Sequence, residues 1–203
     1  MSLLLCFSGQ IGSGKSSVST AVAAALGCGR TSFGDYLRSE IARLGGDPND
    51  RKALQDFGQK RVEDDSAAFC RDVLAAGGFQ AGDNFVIDGI RHVEIFELLA
   101  AVAKPSEARL LYLGAPETTR NDRVQSRDDA QDFVRESTHQ VETELQDALP
   151  KRADAVIDAS QPFDRVVADC VELVRSWQQR FVIRNRRSNS TSKTRARERD
   201  DGT

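Results

Sequence analysis

The sequence predicts an α/β fold: a three-layer α/β/α domain around a five-stranded parallel sheet. Five short segments of strand length, four of them mainly apolar, alternate with stretches of helical periodicity. This order is typical of a parallel sheet with right-handed crossovers. The first apolar segment also runs directly into a glycine-rich loop that is followed by a helix. In such a sheet, ligands bind beyond the carboxyl ends of the strands, so the residues after each strand are the candidates for a site.

The glycine-rich loop has the pattern G-x-x-x-x-G-K-S, from Gly9 to Ser16. A strand over 3–8 is predicted before it, and apolar residues recur at helical spacing after it until Gly27. Glycines bring backbone N–H groups close to phosphate oxygens, Lys15 can reach the β- and γ-phosphates, and the Ser16 hydroxyl can ligate Mg²⁺. The alternative is an accidental match in a turn. The flanking elements favour a P-loop, whose predicted nucleotide-binding residues are Gly9, Gly12, Ser13, Gly14, Lys15, Ser16 and Ser17.

The remaining elements continue the alternation along the chain. A short strand at 30–33 is followed by a helix for which Asp35 is the predicted N-cap. The charged middle of the chain predicts two more helices, at about 50–63 and 65–76, closed by a glycine pair. The rest of the sequence predicts strands at 85–88, 109–113 and 155–157, and helices at 92–102, from Pro116, at about 132–149 and over 163–181.

Composition divides the chain into an acidic body and a basic tail. The 203 residues have a net charge of −3, of which residues 184–203 contribute seven Lys/Arg and three acids. The tail has no aliphatic or aromatic side chain beyond one alanine, so it cannot bury enough apolar surface to fold. We therefore predict one domain over 1–183 and a disordered tail over 184–203. The acidic body argues against broad nucleic-acid binding, while the tail leaves a weaker nucleic-acid contact open.

Cysteines and hydropathy bear on the compartment. The four cysteines lie far apart without a C-x-x-C motif, which favours reduced thiols over disulfides or a zinc site. No apolar run approaches the length of a membrane span, and no basic leader precedes the first strand. The sequence predicts a cytoplasmic protein without a membrane partner and leaves its oligomeric state open.

An acidic residue ends the third predicted strand. Asp88 follows three apolar residues, where a carboxylate can hold Mg²⁺ or one of its waters. A turn-capping carboxylate is the alternative. The next residue is Gly89. Motor ATPases often have a glutamate at this position to activate water, so the lack of one here favours phosphoryl transfer over hydrolysis.

Arginines follow several predicted strand ends. Arg38 and Arg91 lie just after the second and third strands, and Arg120, Arg123 and Arg127 share one helix face at i, i+3 and i+7. Arginine is always charged and binds phosphate through two hydrogen bonds, which suits transfer of a phosphoryl group between polyanions. A solvated face of salt bridges is the alternative for the last three.

Two of these segments resemble a known family. Ser32-Phe33-Gly34-Asp35-Tyr36-Leu37-Arg38 and Asp88-Gly89-Ile90-Arg91 are similar to the S-T-G-D-x-L-R and D-G-F-P-R segments of nucleoside monophosphate kinases such as adenylate kinase. The resemblance implies a P-loop kinase with a helical acceptor-binding insertion at about 35–80 and a short lid at about 116–131. It also implies that Arg38 and Arg91 hold the acceptor phosphate and that Arg120, Arg123 and Arg127 belong to the lid. The stretch 116–160 resembles dephospho-coenzyme A kinases as well.

The sequence thus predicts an ATP- and Mg²⁺-dependent phosphotransferase for a nucleotide-like acceptor, foremost a nucleoside or deoxynucleoside monophosphate. The predicted catalytic residues are Lys15, Asp35, Arg120, Arg123 and Arg127; the acceptor residues are Asp35, Arg38 and Arg91; the metal ligands are Ser16 and Asp88. Two alternatives remain open. One is a kinase for a hydroxyl of dephospho-coenzyme A or nucleic acid, in which Asp35 is the general base. The other is a nucleotide-binding regulator with negligible turnover.

Overall fold

The structure is a computed structural model that describes residues 2–125 and 144–180. Its strands are β1 (Leu3–Ser8), β2 (Gly29–Ser32), β3 (Phe85–Ile90), β4 (Glu107–Gly114) and β5 (Ala155–Asp158). Its helices are α1 (Lys15–Leu26), α2 (Phe33–Arg43), α3 (Arg51–Ala76), α4 (Val93–Val102), α5 (Glu117–Gln125), α6 (Leu149–Arg152) and α7 (163–180). A π-helical turn, Glu144–Ala148, precedes α6.

The five strands form one parallel sheet in the order β2-β3-β1-β4-β5. The predicted five-stranded parallel sheet is confirmed. Strand β1 lies in the centre, so the loop that follows it opens at the middle of the carboxyl edge. In the register of β2 with β3, Ser32 is paired with Asp88. The residues that follow these two strands therefore begin side by side at the carboxyl edge of the sheet.

Helices cover both faces of the sheet because its strands alternate apolar side chains between two cores. Leu4 and Cys6 of β1 pack with α3 and α4 in one core, while Leu3, Leu5 and Phe7 pack with α1 and α7 in the other. Strand β1 is accordingly buried along its whole length. The result is the predicted three-layer α/β/α arrangement.

Strand β3 contains a bulge at Gly89. Phe7 pairs with Asp88, but the next residue, Ser8, pairs with Ile90. Gly89 has φ +90°, in the region that favours glycine. The bulge lies one residue beyond Asp88, so Asp88 is the last residue of β3 in the regular register with β1.

The N-cap prediction for α2 is wrong. The cap is Ser32, whose hydroxyl accepts a hydrogen bond of 2.9 Å from the backbone N–H of Asp35. Strand β2 passes into α2 without a connecting loop, so the last strand residue takes the capping position. Asp35 lies in the first helical turn and its carboxylate is directed to other partners.

Helix α3 is continuous in hydrogen bonding but broken in geometry at Asp65, where φ is −163° and ψ is 92°. The Asp65 carboxylate accepts a hydrogen bond of 2.7 Å from the backbone N–H of Ala68, as an N-cap does. The two helices predicted for this stretch thus correspond to the two arms of α3. Most of the helix predicted at about 132–149, and the predicted tail at 184–203, lie outside the described residues.

All four cysteines are free thiols. Burial raises the pKa of the thiols of Cys70 and Cys170 to about 12, and it raises the pKa of Cys6 further. In the described ranges, no helix combines the length and the apolar content needed to cross a bilayer.

Candidate active site

The loop between β1 and α1 is held against the neighbouring elements at two glycines. A Cβ atom on Gly9 would lie 2.6 Å from the carbonyl oxygen of Leu113, and a Cβ atom on Gly12 would lie 2.5 Å from that of Arg120. Both glycines also have positive φ values, +149° and +79°. Any side chain there would clash with backbone, so the loop can lie this close to β4 and α5 only as glycine.

Helix α1 begins at Lys15 with an open N-terminus. Its N-cap is Gly14, which offers no side-chain hydrogen bond, and its first turn has no acidic residue. No capping side chain from Gly14 therefore competes with an anion at this helix end, and the helix dipole adds to the attraction. Lys15 is half-buried there, while Ser16 and Ser17 are exposed. This geometry fits a phosphate chain, as the motif predicts.

Asp88 lies beside this helix and is 3% exposed. Its Oδ2 atom accepts a hydrogen bond of 2.5 Å from the Ser19 hydroxyl and a short one from the Arg30 guanidinium. The Ser19 hydroxyl also lies 3.0 Å from the backbone carbonyl oxygen of Ser16, so it contacts both Asp88 and the first turn of α1. Because Ser19 has a single proton, it can donate to only one of these acceptors at a time.

The residues here fit a magnesium ion. Mg²⁺ binds oxygen ligands and usually takes one or two carboxylates together with substrate phosphates and water. Ser16, in the first turn of α1, would supply a hydroxyl, and Asp88, which is bonded to Ser19 of the same helix, would supply a carboxylate. Across the described part of the chain, no group of three or more His, Cys, Asp or Glu side chains forms a metal cage. The donor set therefore suits an ion that arrives with its nucleotide.

Two residues that contact Asp88, Arg30 and Ser19, are not among the site residues predicted from the sequence. Arg30 lies in β2 and its guanidinium bridges the buried Asp88 and the exposed Asp35. A charged residue inside a strand of a parallel sheet is a signal in itself, because both faces of such a sheet are covered and the charge needs a partner. The sequence therefore indicates that Arg30 needs an acidic partner. It does not identify Asp35 and Asp88, which lie 5 and 58 positions away.

The predicted acceptor residues gather at the carboxyl ends of β2 and β3. Asp35 accepts from Arg30 and from Arg38, each at 3.3 Å and each on a different oxygen. Arg38 is exposed and Arg91 is half-buried. Within the described ranges, no hydrogen bond or ion pair engages the Arg91 guanidinium.

Helix α5 places two of the predicted lid arginines against the P-loop. Arg120 is 8% exposed and donates to the carbonyl oxygen of Ile11 at 3.3 Å. Arg123 donates to the carbonyl oxygen of Ala159 at 2.9 Å and, at 3.5 Å, to that of Ser13. The alternative of a solvated face thus fails for Arg120, which is buried on the loop. Arg127, the third of the set, and part of the predicted lid at 116–131 lie outside the described residues.

A family model described as an AAA domain matches residues 5–143. A curated relative, a UPF0200 protein of Aeropyrum pernix, is 36% identical over 98 residues, which are 48% of this chain and 51% of the relative. The match therefore spans about half the length of that relative.

Several solved structures share the fold. Shikimate kinase from Aquifex aeolicus has a TM-score of 0.52 and 13% identity, over 87% of this chain and 98% of its own. Shikimate kinase from Bacteroides thetaiotaomicron has a TM-score of 0.55 and 15% identity, over 85% and 98%. A gluconokinase from Sinorhizobium meliloti has a TM-score of 0.52 and 16% identity, over 90% and 96%. At such identities the likeness shows the fold alone, which is that of P-loop kinases.

Proposed function

This chain belongs to the AAA domain family and has a P-loop kinase fold, and from that premise we propose that it transfers the γ-phosphoryl group of ATP to a nucleoside or deoxynucleoside monophosphate. The coarser assignment, a kinase-like P-loop phosphotransferase, follows from the family and the fold. The choice of acceptor is our own inference and rests on the charges beside the P-loop.

The observation that carries the acceptor assignment is the state of Asp35. Its two carboxylate oxygens each accept from a guanidinium group, one of Arg30 and one of Arg38. A general base for a hydroxyl needs an oxygen aimed at the substrate proton. A carboxylate held by two cations is better suited to orienting those cations, and cations are what an acceptor phosphate needs. Arg91, at the end of the adjacent strand, would supply the second contact to that phosphate.

The donor half of the site would bind ATP through the loop and the first turn of α1. The backbone N–H groups from Gly9 to Ser17 would surround the β-phosphate, and Lys15 would neutralise charge on the transferred group. Ser16 and Asp88 would hold Mg²⁺, which, when bound, neutralises charge on the β- and γ-phosphates. Arg120 and Arg123 would position the loop through its carbonyl groups, and Arg127 would complete the charge over the donor.

A coupled-kinase screen tests this proposal directly. The panel contains nucleoside and deoxynucleoside monophosphates, dephospho-coenzyme A and oligonucleotides. Shikimate and gluconate are included because structural neighbours carry those names. We expect turnover on a monophosphate and none on the hydroxyl acceptors. Turnover confined to a hydroxyl acceptor would replace the acceptor assignment, and nucleotide binding without turnover on any compound would favour a regulator.

Replacement of the P-loop lysine tests the donor half. We expect Lys15→Ala to lower kcat roughly 100-fold or more, because the lysine charge matters most as charge develops on the γ-phosphate. The folded state should persist, since Lys15 lies at a helix start outside both cores. The matched control is Lys151→Ala, which removes an exposed lysine of α6 that is paired with Asp147 of the preceding π-helical turn. Near-normal turnover in Lys15→Ala, with circular dichroism unchanged, would be incompatible with the kinase assignment.

A further inference from the structure

The guanidinium of Arg30 contacts three polar groups at once. Its Nε atom lies 3.1 Å from the Ser19 hydroxyl, its Nη2 atom bonds Asp88, and its Nη1 atom lies 3.3 Å from Asp35. These partners belong to α1, β3 and α2. Arg30 thus joins elements that contribute to different halves of the site, since Asp88 lies beside the P-loop helix and Asp35 lies at the acceptor end.

The two carboxylates that Arg30 contacts differ in their surroundings. Asp88 is buried, so its negative charge needs a partner in the absence of a metal ion. Asp35 is 58% exposed and shares its charge with Arg38. Arg30 itself is 20% exposed, and its planar fork fixes the directions of all its donors. A lysine could neutralise Asp88, but its ammonium group is a point charge and could not span the same three partners.

We propose that Arg30 is a positioning residue that couples the donor half of the site to the acceptor half. The inference rests on the proposed function, because it assigns Asp88 to the metal and Asp35 to the acceptor. A cation at Asp88 repels the guanidinium from that carboxylate. Arg30 then interacts more strongly with Asp35, which orders Asp35 and Arg38 for the acceptor. Filling the donor half therefore tightens binding of the acceptor, and the reverse effect is of equal size.

Calorimetric titration tests the coupling without turnover. The affinity for the best acceptor from the screen is measured with and without Mg²⁺ and a non-hydrolysable ATP analogue. For the wild-type protein we expect the donor to tighten acceptor binding roughly fivefold or more. We expect Arg30→Lys to reduce this factor to less than about twofold, since the fork is lost while a charge remains for Asp88. The matched control, Arg165→Lys, replaces an exposed arginine paired with Asp169 on α7 and should keep the full factor.

A double variant identifies the route. In an Asp35→Asn background, Arg30→Lys should cause no further loss of coupling, because the two residues act in one path. Equal coupling in wild type and Arg30→Lys would overturn the proposal. So would a further loss in the Asp35→Asn background equal to that seen alone.

Failure of the proposed function can be told apart from failure of this inference. If no compound in the screen is phosphorylated, the function fails, and the contact is tested by melting temperature instead. Arg30→Lys, Asp35→Asn and the double variant form a thermal cycle that needs no substrate. We expect non-additive shifts, as for residues in one hydrogen-bond network. Additive shifts would overturn the role of Arg30 as well.

Discussion

At the scale of single residues, Asp35 and Arg91 separate the two classes of acceptor. A phosphate acceptor is already a nucleophile and needs cations around it, whereas a hydroxyl needs a base. The contacts of Asp35 with Arg30 and Arg38 favour the first. Arg91 is half-buried and has no such contacts among the described residues, so none of those groups competes with a ligand for its guanidinium.

These contacts predict opposite effects for two substitutions. For a monophosphate acceptor, we expect Arg91→Ala to weaken acceptor use by about 2–3 kcal/mol, because a charge-assisted contact is lost. Asp35→Asn should be milder. The measurement is kcat and KM on the best acceptor, with folding checked by circular dichroism.

The ion pair of the exposed Arg165 with the half-buried Asp169 on α7 supplies the controls, as Arg165→Ala and Asp169→Asn. A general base would instead make Asp35→Asn the severe variant, with kcat lower by roughly 100-fold or more. That ranking, with Arg91→Ala still active, would reject the monophosphate acceptor.

Some residues of the site could be predicted from the sequence and others could not. The P-loop could be predicted because its chemistry is local: backbone N–H groups, a lysine and a hydroxyl within eight positions. The partnership of Arg30 with Asp88 could not, because it depends on strands β2 and β3 being neighbours. The sheet order that makes them neighbours is a property of the folded chain.

At the scale of elements, the bulge in β3 depends on one glycine. Gly89 has φ +90°, and a Cβ atom there would meet nothing closer than the Cβ of Phe33, at 3.4 Å. The cost of a side chain is therefore conformational rather than steric. We expect Gly89→Ala to lower the free energy of unfolding by about 1–2 kcal/mol.

Chemical denaturation measures this difference. The control is Gly114→Ala at the end of β4, where φ is not positive and an added Cβ would have no contact closer than 3.8 Å. If both variants lose the same stability, the strain at Gly89 is not the cause. A third of the expected loss or less in Gly89→Ala would indicate that the bulge relaxes.

Predicted helix boundaries agree with the structure where a nearby residue marks the boundary. The break at Asp65 agrees with the two helices predicted around it, because an aspartate that caps a helix also interrupts one. The cap of α2 was assigned to Asp35 instead of Ser32 because both residue types cap helices. Only the end of β2 decides between them, and periodicity does not locate it to one residue.

At the scale of the whole molecule, the two-part division of the chain stays a prediction from composition. Removal of 184–203 should change the melting temperature by no more than a few degrees, since that segment has nothing to contribute to a core. Thermal unfolding of the full chain and the truncated chain makes the comparison, and turnover on small substrates should persist. A larger drop in melting temperature would place part of the tail in the folded domain. Loss of activity on oligonucleotides alone would point to a nucleic-acid role for the tail.

The fold class could be predicted at this scale because five strand segments, four of them mainly apolar, alternate with helical connections, an order that requires a covered parallel sheet. What remained out of reach was the order of the strands, and with it the side chains that meet. The two cores divide the strands by alternate residues, and that division was implicit in the pattern of β1. The meeting of Asp88 with Ser19 needed the packing of α1 on β3.

The bulge at Gly89 also changes which face of the sheet the next side chain of β3 lies on. In an unbroken strand, positions 88 and 90 would face the same layer, and an isoleucine would lie against the Asp88 carboxylate. The extra residue moves Ile90 to the other layer, where it packs in the core that contains Phe33 and Phe96. The strand can thus go on burying hydrocarbon on one side after it has presented a carboxylate on the other. Gly89 thus keeps the Ile90 side chain away from the Asp88 carboxylate without shortening the strand.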